Sequence, residues 1–174
     1  MICFIETERL ILRPVRRTDA KDFFELDSNP KVHQYLGNNP LTSLVQSEQV
    51  IAHILKQYND YGIGRLAVIL KETEEFVGWA GLKYEQQIRK DFKYYDLGYR
   101  LKEQFWGMGI ATEAAAAALS YGFSELNLKE ICAAADIHNM ASNKILNTIG
   151  MHLSGTFTYN SSLCNWYTKK TPYE

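Results

Sequence analysis

The sequence predicts a single α+β domain built on a mixed sheet with helices packed against it. Its 174 residues suit one domain, and 46% apolar and 22% charged residues are ordinary values for a globular protein. No linker, internal repeat or low-complexity segment divides the chain, so one domain is expected over residues 1–174. Strand-like and helix-like segments follow in the order β-α-α-β-β-β-α-β-α-β-β, which is neither purely alternating nor all-β.

The first half of the chain is expected to hold three strands and three helices. Pro14 closes the first apolar run, because proline cannot donate a hydrogen bond within a sheet. Ser43 or Ser47 begins a longer helix with apolar residues at helical spacing, and Gly62 ends it. The predicted elements are a strand over 9–15, helices from 18 or 19 to 26, over 31–36 and from 43 or 47 to 61, and strands over 65–70 and 76–84.

The second half is expected to hold four strands and two helices. A strand over 93–101 leads through a glycine-containing turn into an alanine-rich helix that extends to about residue 123. The alanines at 114–118 let this helix pack closely on a sheet. The remaining predicted elements are a strand over 130–135, a helix over 141–148 ended by Gly150, and a closing hairpin over 153–159 and 163–168.

The turn before the alanine-rich helix reads Gln104-Phe-Trp-Gly-Met-Gly-Ile-Ala-Thr-Glu113. Gly107 and Gly109 lack Cβ atoms, so consecutive backbone N–H groups can converge where the helix begins. Free N–H donors and the helix dipole favour an anion there, such as a pyrophosphate. A tight strand-to-helix turn without a ligand is the alternative interpretation of the same two glycines.

Two other phosphate-binding motifs fit this turn less well. A Walker loop requires Gly-x-x-x-x-Gly-Lys-Ser/Thr, which does not occur in the sequence. A dinucleotide fingerprint needs a third small residue where Thr112 stands, and it normally follows the first strand of a βαβ unit. A nucleotide-cofactor oxidoreductase therefore stays open only as a weaker alternative.

Three motifs resemble the Gcn5-related N-acetyltransferase (GNAT) superfamily, and within it the ribosomal-protein N-acetyltransferase branch of RimJ/RimL type. The glycine turn is similar to the Gln/Arg-x-x-Gly-x-Gly/Ala pyrophosphate loop, and Leu97-Gly-Tyr-Arg-Leu101 precedes it as in that branch. Thr7-Glu-Arg-Leu-Ile-Leu-Arg13 resembles the opening of the branch, and Asn139-Met-Ala-Ser142 with Gly150 resembles its later Asn-x-x-Ser segment. The resemblance covers nearly the whole chain.

The resemblance implies a mostly antiparallel central sheet whose fourth and fifth strands, here 93–101 and 130–135, splay apart to admit acetyl-CoA. Amides of the fourth strand would hold the pantetheine arm and polarise the thioester carbonyl, with a bulge near Gly98 and Tyr99. Asn139 would bond the pantetheine or merely cap its helix, and Trp106 would cover cofactor or anchor the turn. The implied cofactor-binding residues are Leu97, Gly98, Tyr99, Arg100, Leu101, Gln104, Trp106, Gly107, Met108, Gly109, Ile110, Ala111, Thr112, Asn139 and Ser142.

The acceptor amine must lose a proton, and three carboxylates are candidates to take it. Asp96, one residue before Leu97, is the first candidate, because relatives often carry a carboxylate at this position. A solvated strand carboxylate is the alternative interpretation of Asp96. Glu85 and Glu103 are lesser candidates, since the sequence does not show where their side chains point.

The departing thiolate is the second place where a proton is needed. Many relatives use a tyrosine four residues before Gly150, but this chain has Leu146 there. In the resembling branch a serine assists the thiolate, and Ser142 matches that serine. A hydroxyl at an ordinary helix start is the alternative.

Composition excludes several other classes. The net charge of −1, the pI near 6.4 and the scattered basic residues make direct nucleic-acid binding unexpected. No signal peptide or membrane-spanning run is expected, so the protein is predicted to be cytoplasmic. Cys3, Cys132 and Cys164 are expected to be reduced thiols, and the histidines show no metal-binding spacing, so no metal is predicted. A hydrolase group of Cys132, Asp136 and His138 is disfavoured because these residues lie within seven positions.

The sequence therefore predicts an acetyl-CoA-dependent enzyme that acetylates a primary amine by direct attack in a ternary complex. The acceptor is expected to be a protein N-terminal amine or a small amine such as a polyamine, aminoglycoside or amino-acid derivative. By family analogy it would bind against residues 31–61 and 160–164. A CoA-binding sensor or degenerate acetyltransferase without catalysis is the alternative, and a homodimer is a further family-based expectation.

Overall fold

The structure is a computed structural model that describes residues 4–89 and 91–171, so Cys3 lies outside the described residues. The order of its elements confirms the predicted α+β class. The elements are β1 (Ile5–Glu6), β2 (Leu10–Pro14), a 3-10 helix (Arg17–Asp19), α1 (Ala20–Asp27), α2 (Leu44–Tyr61), β3 (Arg65–Leu70), β4 (Glu75–Glu85), β5 (Tyr94–Leu101), a second 3-10 helix (Glu103–Phe105), α3 (Ile110–Ser124), β6 (Glu130–Asp136), α4 (Met140–Thr148), β7 (His152–Tyr159) and β8 (Ser162–Lys170).

The eight strands found in residues 4–89 and 91–171 form one sheet in the order β1-β2-β3-β4-β5-β6-β8-β7. Every neighbouring pair is antiparallel except β5 and β6, which α3 connects as a crossover. The predicted mostly antiparallel sheet is therefore confirmed. β1 was not predicted, because a strand of two residues is too short to show an alternation of apolar and polar side chains. The predicted fourth and fifth strands are thus β5 and β6.

Helices cover opposite faces of the sheet. On one face, Leu97 and Ile131 pack against Leu119 of α3, and we call this the α3 face. On the other, Phe76 packs against Phe23 of α1, and we call this the α1–α2 face. No helix formed by the described residues has both the length and the apolar character needed to cross a membrane.

The ends of α2 follow the capping residues in the sequence. Ser43 is the N-cap, and its side chain forms a capping box with Gln46. Of the two predicted starts, Ser43 is correct, because Ser47 lies inside the helix and donates its hydroxyl to the Ala20 carbonyl at 2.6 Å. Gly62 ends the helix with φ of +67°, as predicted.

The short helix predicted over 31–36 is wrong. This segment forms consecutive turns, in which the amides of Val32 and His33 bond the carbonyls of Asn29 and Pro30, three residues earlier. Only Val32 and His33 have buried side chains there, so a helix would gain little from packing.

The closing hairpin is confirmed, and its turn is tight. Asn160 and Ser161 join β7 to β8 with φ of +47° and +65°. Two central residues with positive φ are typical of a type I′ turn, whose twist matches that of the flanking strands.

Candidate active site

The parallel strands β5 and β6 separate directly after they meet. In the part of the chain that the structure describes, Asp96 and Cys132 are the only partners between them, whereas β5 pairs with β4 over its whole length. The N–H and C=O groups of a strand alternate between its two edges, so those of residues 97–101 that face β6 lack a strand partner. The predicted splay is present, and it offers backbone groups to an extended ligand.

The predicted bulge near Gly98 and Tyr99 is absent from the pairing with β4. The register runs from Gly78 opposite Leu101 to Glu85 opposite Tyr94 without a shift. Gly98 has a different use, because a Cβ there would lie 2.6 Å from Nη2 of Arg65. The glycine leaves room for a guanidinium to cross the α1–α2 face.

The glycine turn is fixed to the end of β5. Gly107 and Gly109 have φ of +74° and +76°, a region that glycine enters without steric penalty. Phe105 is buried, and the indole N–H of Trp106 donates to the Leu101 carbonyl at 2.9 Å. Trp106 therefore anchors the turn, while 46% of its surface stays exposed.

Six consecutive amides, from Gly107 to Thr112, bond no acceptor among the described residues. Those in the first turn of α3 have no helical acceptor by geometry. Residues 106–109 are exposed, and a Cβ at Gly107 would meet no atom within 4 Å. Free N–H groups in open space at the start of a 15-residue helix fit a pyrophosphate.

The N-terminal segment clamps this turn through contacts that were not predicted from the sequence. Arg9 donates from Nη1 to the Met108 carbonyl at 2.9 Å and from Nε to Oε2 of Glu113 at 2.7 Å. Thr7 donates its hydroxyl to Oε1 of Glu113 at 2.6 Å. Burial acts to raise the pKa of Glu113, but the hydrogen bonds from Thr7 and Arg9 outweigh it and hold that pKa below its ordinary value.

Two of the predicted cofactor-binding residues use their side chains elsewhere. Gln104 donates from Nε2 to Oε1 of Glu75 at 3.3 Å. Arg100 extends over the α1–α2 face and donates to Oδ1 of Asp27 at 2.6 Å. A role of Arg100 in holding pantetheine would therefore rest on its backbone.

The N-terminus of α4 brings Ser142 against β5. Asn139 caps this helix, and its Oδ1 accepts the Ser142 N–H at 3.1 Å. The hydroxyl of Tyr99 lies 2.9 Å from Oγ of Ser142 and donates to the Ser142 carbonyl at 3.1 Å. Burial raises the pKa of Tyr99, and the bond with Ser142 partly opposes it. The sequence did not reveal that the Tyr99 side chain meets Ser142 across the splay.

Asp96 is a buried, ion-paired carboxylate rather than a solvated one. Its Oδ2 accepts from Nη2 of Arg65, and Nη1 of Arg65 donates to the Asp96 carbonyl at 2.7 Å and to the Gly81 carbonyl. No hydrogen bond from the described residues reaches Oδ1 of Asp96. Arg65 thus holds one carboxylate oxygen of Asp96, and no hydrogen bond from the described residues holds the other.

The lesser base candidates are bound to other groups. Glu85 accepts the amides of Gln86 and Gln87 at 2.9 and 2.7 Å and pairs with Lys83 at 2.5 Å. Glu103 accepts from Nζ of Lys31 at 2.6 Å and from Nδ2 of Asn29 at 2.9 Å. Neither carboxylate lies on the edge of β5 that opens toward β6.

Cys132 is not an activated nucleophile. Burial, with smaller effects of Glu130 and Asp96, raises the pKa of its thiol to about 12, so the thiol is protonated at neutral pH. This argues against the hydrolase alternative. Within residues 4–89 and 91–171, no group of three or more His, Cys, Asp or Glu side chains could hold a metal ion.

Comparisons with known proteins identify relatives along nearly the whole chain. A family model described as an acetyltransferase (GNAT) domain matches residues 9–152. The uncharacterized N-acetyltransferase p20 of Bacillus licheniformis is 33% identical over 149 residues, covering 86% of this chain and 82% of that protein. The spermidine N(1)-acetyltransferase of Escherichia coli (strain K12) is 28% identical over 145 residues, covering 83% of this chain and 73% of that protein.

Among solved structures, RimL, a ribosomal L7/L12 α-N-protein acetyltransferase in complex with coenzyme A, has the same fold. Its TM-score is 0.81 at 17% identity, covering 99% of this chain and 100% of that chain.

Proposed function

Because this chain belongs to the GNAT acetyltransferase family, we propose that it transfers the acetyl group of acetyl-CoA to a primary amine by direct attack in a ternary complex. The observation that carries the proposal is the row of unbonded amides from Gly107 to Thr112, directly after the strand that splays from β6. An anion site next to an open strand edge matches the pyrophosphate and the extended pantetheine of acetyl-CoA.

The chain offers distinct groups to each part of acetyl-CoA. The amides of residues 107–112 would hold the pyrophosphate, and the dipole of α3 would add to the attraction. The Arg9 side chain, 42% exposed, places a positive charge beside the turn. The backbone of residues 97–101 and Nδ2 of Asn139 would hold the pantetheine. Acetyl-CoA supplies the thioester carbonyl that the amine attacks.

Backbone donors of β5 would stabilise the charge that develops on the thioester oxygen. Beyond Asp96, the amides of β5 that face β6 have no strand partner among the described residues, and the pairing of β5 with β4 fixes the backbone that carries them. A preorganised donor of this kind contributes about 3–4 kcal/mol to transition-state stabilisation. Much of the rate acceleration would therefore come from backbone geometry.

Ser142 would donate a hydrogen bond to the departing thiolate. Its hydroxyl is held by Tyr99 at 2.9 Å, and its amide is held by Asn139. A thiol with a pKa of about 8.5 leaves readily without full protonation. The leucine at position 146 is therefore compatible with turnover.

Asp96 is the proposed proton acceptor for the attacking amine, directly or through one water molecule. Its Oδ2 is fixed by Arg65, and Oδ1 is the oxygen that would receive the proton. Asp96 also lies opposite Cys132, where β5 and β6 meet in the described part of the chain, so the carboxylate lies at the start of the splay.

The proposed acceptor is a protein N-terminal amine or a small-molecule amine. It would enter from the α1–α2 face, between residues 31–61 and the β7–β8 turn at 160–164. One relative is named a spermidine N(1)-acetyltransferase, and RimL is described as a ribosomal-protein acetyltransferase, so both kinds of acceptor have support.

We place the reaction in the cytoplasm, where free thiols such as Cys132 and Cys164 stay reduced. A homodimer is a further part of the proposal, and light scattering on the purified protein measures its mass directly.

The test is a calorimetric titration with acetyl-CoA, followed by measurement of free-thiol release with a panel of peptides and small amines. Binding together with amine-dependent thiol release is the expected result. Binding without release on any amine would instead indicate a CoA-binding protein without catalysis. Absence of binding would overturn the assignment of the glycine turn.

A further inference from the structure

Four aromatic side chains on the α1–α2 face form a cage next to Asp96. The members of this aromatic cage are Phe92, Tyr94, Phe157 and Trp166. Their contacting ring centroids lie between 4.7 and 5.7 Å apart. Tyr94 and Asp96 are two residues apart on β5 and therefore share a face of the sheet.

The guanidinium of Arg89, from the β4–β5 connection, occupies this cage. It lies 4.7, 5.1 and 4.9 Å from the ring centroids of Phe92, Phe157 and Trp166. The negative faces of aromatic rings attract cations at these distances. The cage thus holds a cation in this structure, and that cation is the guanidinium of Arg89 from the same chain.

The hydroxyl of Tyr94 points independently to a ligand. Tyr94 is 6% exposed, and among the described residues its hydroxyl has no hydrogen-bond partner. A buried hydroxyl without a partner is costly, so such groups usually meet a ligand or water. Burial and then the negative charges of Asp96 and Glu85 raise the pKa of Tyr94. The surroundings of this hydroxyl are acidic and suit a cationic N–H donor.

Arg89 is paired with a surface carboxylate while its guanidinium lies in the cage, and 21% of its side chain is exposed. It donates from Nε and Nη2 to Asp91 at 3.1 and 2.9 Å, and the Asp91 side chain is 60% exposed. A cavity of about 400 Å³, lined by Ile88, Arg89, Phe157 and Asn160 among others, opens beside it. A ligand in this cavity would contact both Arg89 and Phe157.

One member of the cage, Tyr94, lies on the same strand as the start of the splay. Tyr94 precedes Leu97, the first residue of the splay, by three positions, or about 10 Å along the strand. A ligand that fills the cage could therefore reach the thioester with its other end.

We propose that the aromatic cage binds a second ammonium group of the acceptor, and that Arg89 occupies the cage until such an acceptor displaces it. The inference rests on the proposed acetyl transfer and names its acceptor class. That class is a diamine or longer amine whose second ammonium lies about 10 Å from the reacting nitrogen. The cage itself makes and breaks no covalent bond.

The experiment compares 1,7-diaminoheptane with heptylamine, which has the same chain but lacks the second ammonium. Free-thiol release gives KM for both amines with the wild-type protein and with R89A, F157L and R17A. Arg17 is exposed and lies outside the cage, so R17A controls for the loss of one surface charge. Calorimetry measures binding of 1,7-diaminoheptane to the same proteins without turnover.

R89A is expected to lower the ratio of KM for the diamine to KM for heptylamine by about 5- to 30-fold, because the competing guanidinium is gone. F157L should raise this ratio, and R17A should leave it unchanged. An equal change for both amines in R89A, or a higher ratio, would overturn the proposal.

If no amine supports thiol release, acetyl transfer fails as the proposed function. Calorimetry still tests whether the aromatic cage binds an ammonium group. Tighter binding of the diamine to R89A than to wild type would support the cage. Equal or weaker binding would overturn it.

Discussion

Replacing Gly107 with alanine separates the ligand-binding role of the glycine turn from its role in the fold. Gly107 has φ of +74°, and an added Cβ would meet no protein atom within 4 Å. The substitution should therefore lower the free energy of unfolding only by the cost of holding a residue other than glycine in the left-handed region, about 1–2 kcal/mol. For a domain of this size we expect the melting temperature to fall by about 2–8 °C.

In the complex, the same Cβ would occupy the open space beside the amides that are proposed to hold the pyrophosphate. Loss of one hydrogen bond to a charged group costs about 1.5–3 kcal/mol, so Kd for acetyl-CoA should rise by about 10- to 150-fold. Calorimetry measures Kd, and thermal denaturation measures stability.

Gly62 provides a matched control. Its φ is +67°, a Cβ there would also meet no atom within 4 Å, and it ends α2 rather than opening α3. G62A should lose as much stability as G107A while binding acetyl-CoA as wild type does. If G107A also bound acetyl-CoA with the wild-type Kd, the turn amides could not be holding the ligand.

Three further substitutions probe the catalytic groups and the clamp. S142A should lower kcat by about 10-fold, which corresponds to the loss of one hydrogen bond. Adding Y99F to S142A should lower kcat no further, because Tyr99 acts through Ser142. Additive losses of kcat in the double variant would contradict this role of Tyr99. D96N should lower the free energy of unfolding by about 3–5 kcal/mol, because Arg65 stays buried without its counter-charge. It should also lower kcat with an amine acceptor, because the proposed proton acceptor is gone; an unchanged kcat would reject this role. E113Q should lower the melting temperature at pH 7, and the difference from wild type should shrink below about pH 4.3. The pKa of Glu113 is lower in the folded protein, so the stability that this carboxylate contributes is present above the unfolded pKa and is lost as pH falls through the folded pKa. If E113Q still melted at a lower temperature than wild type in acid, the result would argue against the clamp.

The features that could be predicted from the sequence are those fixed by neighbouring residues. Gly107 and Gly109 predict a turn with free amides because their φ angles and the start of the helix are local properties. The capping of α2 by Ser43 and its end at Gly62 are local in the same sense. The short helix over 31–36 was wrong because packing, rather than local preference, decides so short a segment.

Contacts between distant positions were not visible in one sequence. Arg9 and Glu113 are 104 positions apart, and each taken alone is an ordinary surface charge. Asp96 was open to two interpretations because its environment depends on Arg65, 31 positions earlier on another strand. The aromatic cage joins the β4–β5 connection to β7 and β8, so only the assembled sheet reveals it.

The most direct test of the account is to supply acetyl-CoA with an isotope-labelled acetyl group and to analyse the amine by mass spectrometry. We predict that the label appears on the nitrogen of the amine only when protein, acetyl-CoA and amine are all present, and in amounts equal to the CoA released. Release of CoA without label on any amine, at the same rate with and without acceptor, would contradict acetyl transfer to an amine.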